Sequence, residues 1–171
     1  VDLVDTAYGR VTVVRVLDQV AVFENGALAF ETESASPEAF AALAAAQIAA
    51  PGDALVLGGG PEGVARELRP RVPGAITVIE HDERAFNRVM RWVPQGRGSW
   101  AADGRAAVAF VFGDPRRLLT GGPRYDLVLN AMPEPSSGQA SRFYTSEFFA
   151  QCRRVLRAGG VLAVRLPSSE N

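Results

Sequence analysis

The stretch LVLGGGPEGVARELRP, residues 55–70, decides the fold. An apolar run ends in Gly58, Gly59 and Gly60, and a helix-like pattern over 61–70 follows. Glycine takes positive φ and leaves room beside the backbone, so a turn of this kind brings main chain close to a ligand. The N–H groups of the helix that follows are then expected to face that ligand. The same alternation continues downstream. Strands are read at 54–58, 75–80 (AITVIE), 107–112 (AVAFVF), 125–131 (YDLVLNA) and 161–166 (VLAVRL). Helices are read at 61–70, 83–92, near 115–120 and at 145–157, with Gly159-Gly160 as the stop of the last. The strands are continuous apolar runs, as in a parallel sheet covered on both faces. Repeated strand–helix units predict a doubly wound α/β fold.

Upstream the pattern is different. Residues 1–33 read as a small antiparallel meander, with VTVVRVL (11–17), VAVF (20–23) and ALAF (27–30) as its runs. Asn25-Gly26 is a strong hairpin signal between the last two. A helix over 37–50 follows, with Ser36 as its N-cap and Pro37 at N1. The expected division is a β segment at 1–35 and an α/β domain at 36–171. Gly/Pro-rich breaks at 94–98 and 121–123 read as surface loops, and 133–142 (PEPSSGQASR) as a flexible loop hanging over the crevice as a lid.

Composition narrows the function. The chain has 171 residues, 47% hydrophobic and 22% charged, with a net charge of −1. That is ordinary for a globular domain and gives no general attraction to nucleic acid or an acidic membrane. One cysteine, Cys152, and one histidine, His81, leave no internal disulfide and no Cys- or His-rich metal site. No apolar run nears the roughly 20 residues that span a bilayer. A cytoplasmic setting is expected. The chain starts without Met and ends on LPSSEN (166–171) directly after a strand-like run, so it reads as a piece of a longer protein. That leaves room for a membrane-associated part elsewhere.

Three strand ends carry the candidate site. The glycine turn follows the first strand. Glu80 ends the next, 20 residues after Gly60, where an acidic residue commonly grips ribose hydroxyls. Asp114 closes the third in FGDP, placed to accept from an adenine amine and to cap the helix that starts at Pro115. The loop is not the G-x-G-x-x-G phosphate type and no Lys–Ser pair follows, which argues against a nucleoside triphosphate. His81 is expected to point away from its neighbour Glu80. Cys152, at core spacing with Phe148, Phe149 and Val155, is expected to be a buried small hydrophobe, and Thr145 the N-cap of its helix.

These segments resemble the spermidine synthase family, the polyamine aminopropyltransferases. YGRVTV (8–13) is similar to the family's N-terminal strand, FENGALAFETES (23–34) to its hairpin, and LVLGGGPEG (55–63) to its glycine loop. VIEHD (78–82) resembles its ribose strand and GDPRRLL (113–119) its adenine-side turn. YDLVLNAMPEP (125–135) and FYTSEFFAQCRRVLRAGGVLAV (143–164) resemble its catalytic strand and the helix and strand after it. The resemblance implies a methyltransferase-like Rossmann domain, mostly parallel, behind a small antiparallel β segment. It implies decarboxylated S-adenosylmethionine as the donor, methylthioadenosine as by-product, a diamine or other polyamine as acceptor, and a homodimer. No permanently bound cofactor is expected. The implied binding residues are Gly58, Gly59, Gly60, Glu62, Glu80, Asp114, Pro115 and Asn130.

The departures from the family pattern matter as much. The family's glycine loop carries an Asp directly after its glycines, which holds the donor's amine; here Pro61 stands there, with Glu62 next. The family's catalytic strand ends in an Asp, with a second three positions later before a proline; here those positions are Ala131 and Glu134. Alanine accepts no proton, so Glu134 is the candidate catalytic carboxylate. The family's Tyr-His-Glu after the hairpin is replaced by EAFAAL (38–43). The nucleoside half of the site survives and the diamine half looks dismantled. Three readings stay open. One is a transferase acting on an adenosyl thioether, by aminopropyl or methyl transfer. Another is an inactive nucleoside-binding or regulatory module. The third is a structural dimerisation domain of a larger membrane-associated protein.

Overall fold

The computed structural model describes residues 1–93, 107–135 and 137–166. Its elements are β1 Asp2–Thr6, β2 Gly9–Val16, β3 Gln19–Glu24, β4 Ala27–Glu31, α1 Ser36–Ala45, β5 Ala54–Leu57, α2 Val64–Leu68, β6 Ile76–Glu80, α3 Glu83–Val89, β7 Val108–Phe112, α4 Pro115–Leu118, β8 Tyr125–Asn130, α5 Gly138–Ser141, α6 Ser146–Val155 and β9 Leu156–Val164. Among these residues no helix is long and apolar enough to cross a membrane.

Five parallel strands form the main sheet in the order β7-β6-β5-β8-β9. The order reverses between β5 and β8, and open sheets of this kind bind ligands at that switch point, beyond the strands' carboxyl ends. The central strands are apolar throughout because both faces are covered. Ala54 and Val56 of β5 pack with Ala41 and Ala44 of α1 and Val64 and Leu68 of α2. Leu55 and Leu57 pack on the other side with Phe148, Cys152 and Val155 of α6. Cys152 is fully buried, and burial pushes its thiol up to about 12, so it is an unreactive part of that core.

The first four strands form an antiparallel meander, β1-β2-β3-β4. Valines at alternate positions (Val11, Val13, Val20, Val22) face one side and pack on Val89 and Val93 at the end of α3. Asp2 fixes the same junction, accepting from Trp92 Nε1 at 2.8 Å and pairing with Arg88 at 2.8 Å. The Asn25-Gly26 hairpin forms as read, with φ of 52° and 86° at its two residues, the mirror-image turn that suits twisted strands. Strand β1, not named among the expected runs, completes the meander.

Several expected boundaries move. Helix α1 starts with Ser36 inside it and Ala35 at the cap, where no side chain accepts; Ser34 Oγ instead accepts from Ser36 N–H. It ends at Ala45 rather than 50, because the chain tightens through bonds from Gln47 and Ile48 N–H to Ala44 and Ala45 and turns Ile48 into the core. Helix α2 begins only at Val64, since Gly63 is left-handed at φ 100°. Helix α6 stops at Val155, and Gly159-Gly160 lies inside β9 rather than ending a helix. Leu156 is already extended and pairs with Tyr125, and a register shift in the pairing with β8 accommodates the glycines. The exposed turn at 121–123 is as read, while the loop expected at 94–98 lies outside the described residues.

Thr145 caps α6, accepting from Phe148 N–H at 3.2 Å. Thr145→Ala is expected to lower stability by about 1 kcal/mol in chemical denaturation, the usual loss for an N-cap side chain. An unchanged midpoint would show that the cap contributes nothing.

Candidate functional site

A cleft of about 790 Å³ opens beyond the ends of β5, β6 and β8, within the size range of small-molecule sites. The glycine turn forms its floor. Gly58 and Gly59 have φ of 72° and 69°. A Cβ on Gly59 would come 2.9 Å from the Ala131 Cβ, and one on Gly60 would come 2.6 Å from Glu80 Oε1. The glycines are needed for this approach of strand ends, because a side chain has no space there. The β3–β4 hairpin of the meander forms the facing wall, and residues 131–144 form the side wall.

Glu80 is the electrostatic centre. Its Oε1 accepts from Gly60 N–H at 2.6 Å, and its side chain is 8% exposed. Burial raises its pKa to about 8; the Gly60 N–H opposes the shift, and the neighbouring charges of Glu24, Asp82 and Glu62 add to it. Glu24, also in the cleft, is raised by burial and then by Asp82. Asp82 caps α3 through Ala85 N–H and accepts from Thr6 Oγ1 at 2.5 Å, tying the meander to the site. The N–H of Gly60, expected at the start of a helix facing a ligand, is instead taken by Glu80.

Of the sequence-predicted residues, Gly58, Gly59, Glu62, Glu80 and Glu134 line the cleft. Asp114 stands behind the wall. Its Oδ1 accepts from Arg116 N–H, confirming the cap role, and its Oδ2 pairs with Arg142 at 3.2 Å. Pro115 is buried at the start of α4. Asn130 is fully buried, donating to Phe143 C=O at 3.0 Å and accepting from Met132 N–H at 3.4 Å, so as placed it shapes the wall from behind. Glu62 is closed off by Arg165, whose Nη1 and Nη2 meet its two oxygens at 2.5 and 2.8 Å. Ala131 is 4% exposed beside Gly59.

The segment expected to be a flexible lid contains a helix, α5, capped by Ser137, and its Ala140 is buried. The segment is held to the frame by Asn130 and by Tyr144 Oη, which donates to Met132 C=O at 2.8 Å. His81 does line the cleft. Its ring stands edge-on to Tyr8 at 4.8 Å, and burial lowers its pKa, so the imidazole is neutral. Sequence reading missed Glu24 and Arg165. A charge interrupting the apolar run VLAVRL was the available signal for Arg165.

The spermine/spermidine synthase domain model matches residues 33–168. The chain belongs to this family. Spermine/spermidine synthase relatives include the polyamine aminopropyltransferases of Korarchaeum cryptofilum and Prochlorococcus marinus (strain MIT 9313). The first is 32% identical over 113 residues, covering 66% of this chain and 34% of that protein. The second is 33% identical over 118 residues, covering 68% and 41%. The chain thus spans less than half the length of the curated relatives it matches. Among solved structures, a spermidine synthase in complex with the transition-state analogue AdoDATO superposes with a TM-score of 0.81 at 18% identity, covering 96% of this chain and 57% of that one. The spermidine synthase of Thermotoga maritima gives 0.72 at 17%, covering 96% and 55%. These establish the spermidine synthase fold: the five-stranded parallel sheet with its helices and the small antiparallel sheet before it.

Proposed function

We propose that the cleft binds an adenosyl thioether of the S-adenosylmethionine type, its ribose against Glu80 and its thioether over the glycine turn. The observation that carries this reading is Glu80, a buried carboxyl at the end of β6 held against Gly60, which follows β5 at the border of the sheet's switch point. A carboxyl there matches paired ribose hydroxyls, which both donate and accept. The structural neighbour's AdoDATO complex adds support for an adenosyl ligand.

A second reading, aminopropyl transfer to an amine, is favoured by Glu134 in the cleft wall. An amine lone pair forms a C–N bond to the aminopropyl carbon beside the sulfonium. The C–S bond breaks, its electron pair stays on sulfur, methylthioadenosine leaves, and the new ammonium gives its proton to the carboxylate. An amine that is already protonated cannot attack, which is why a carboxylate is needed beside it.

Titration with methylthioadenosine, followed by thermal unfolding, tests the binding reading. A ligand specific to the folded state adds about 2.7 kcal/mol at a hundredfold excess over its dissociation constant. A raised midpoint is expected; no shift would leave the glycine turn as inherited architecture. Assay of the parent for aminopropyl transfer tests the second reading, and Ala131→Asp tests whether an inactive parent is restored. Gain of aminopropyl transfer would mark a decayed synthase, and no gain a pocket changed beyond that one residue.

A further inference from the structure

The two sides of the cleft carry different ionisable groups. On the hairpin side the carboxyls of Glu24, Glu80 and Asp82 bear on one another. On the opposite side, where β9 ends beside the glycine turn, the wall carries Arg165. Its side chain is 28% exposed and its Glu62 partner 6%, so the pair is shielded from water. Nη1 also reaches Ser36 Oγ at 3.3 Å, and the guanidinium lies 5.7 Å from the Phe40 ring centre. Burial disfavours the charge, but the bonds to Glu62 more than restore it, and Arg165 stays cationic.

A guanidinium is a planar fork with five N–H donors and two edges that each take a carboxylate through two parallel bonds. Glu62 occupies the Nη1–Nη2 edge. On the Nε–Nη2 edge, Nη2 donates to Glu62 Oε2 but keeps a second N–H, and Nε makes no hydrogen bond among the described residues. Pro61 and Ala131 in the same cleft carry no charge, while Glu134, exposed in the wall, bears electrostatically on Arg165. A carboxylate meets an open fork in a partly dry setting.

We propose that Arg165 binds a carboxylate of the ligand through this open edge. The cleft therefore selects an adenosyl thioether that keeps its amino-acid carboxylate over the decarboxylated form. The inference rests on the adenosyl-thioether reading above and names which ligand of that class the site takes.

Calorimetric titration of the full chain with S-adenosylmethionine, its decarboxylated form and methylthioadenosine tests it, in the parent, Arg165→Gln and Glu62→Gln. The parent is expected to bind the carboxylated ligand at least about tenfold tighter than the decarboxylated one, or about 1.4 kcal/mol. Arg165→Gln should abolish that preference, and Glu62→Gln should keep it. A parent that binds the decarboxylated form as tightly or more tightly overturns the proposal, as does a preference that survives in Arg165→Gln. Methylthioadenosine has no carboxylate, so it reports the adenosyl reading separately. If it binds nowhere, that reading fails; if it binds while the preference is missing, only the role of Arg165 fails.

Discussion

Glu80→Gln is expected to gain several kcal/mol of stability relative to the parent protein as pH rises from 4.5 to 8. The Glu80 carboxyl titrates near 4.5 in an unfolded chain and at about 8 in the fold, chiefly because it is buried. Below pH 4.5 both states hold the proton and the group contributes nothing. As pH rises through 4.5 the unfolded chain releases its proton while the folded one keeps it. The unfolded state then binds fewer protons, and stability falls with pH until about 8. The interval, 8 − 4.5 = 3.5 units at 1.36 kcal/mol each, gives a loss of about 5 kcal/mol. Glutamine is neutral at every pH and still offers Oε1 to Gly60 N–H. Urea unfolding of both proteins across this range measures the difference, and parallel profiles would sink the assignment of a buried, neutral carboxyl. The same variant should bind methylthioadenosine roughly twofold to tenfold more weakly, the worth of a hydrogen bond between neutral groups. With both results, Glu80 would be a place where function opposes stability.

Asn130→Ala is expected to cost about 2–4 kcal/mol. The side chain is wholly buried, and its amide satisfies Phe143 C=O and Met132 N–H across the start and end of the 131–144 wall. Truncation leaves both backbone groups buried without partners, at about 1–3 kcal/mol each. The longer of the two bonds, 3.4 Å, places the total below the sum of two full penalties. Ligand affinity should fall as well, although the amide does not face the cleft, because Ala131, Met132, Phe143 and Tyr144 all lose their common anchor. Denaturation together with methylthioadenosine titration checks both effects. A loss under about 1 kcal/mol with unchanged affinity would show that the wall stands without the amide.

The sheet was legible because its chemistry is local. Ala54-Leu55-Val56-Leu57 has no polar face, and only a strand covered on both sides reads that way. Glu80 was legible because the glycine turn and the end of the next strand have fixed places in a doubly wound fold. Helix ends were less so. Nothing within the run RVLRAGGVL separates a helix that stops at the glycines from one that stops at Val155, because the deciding partner is Tyr125, on a strand paired from elsewhere in the chain. The Arg165–Glu62 pair joins residues 103 apart in sequence, and its effect on Glu62 exists only once β9 lies beside the glycine turn. Sequence pattern places Glu62 near the crevice, but it reveals neither Arg165 nor that one neutralises the other.

The facing wall of the cleft comes from the β3–β4 hairpin, and the meander that carries it is attached to the rest mainly through α3, by valine packing and by the Asp2 and Thr6 contacts. A molecule bound between Glu24 and Glu80 touches both sides of that junction. Part of its binding free energy is therefore docking free energy of the first 31 residues. Ligand occupancy and the resistance of this segment to protease or to hydrogen exchange become one thermodynamic quantity, readable from either end.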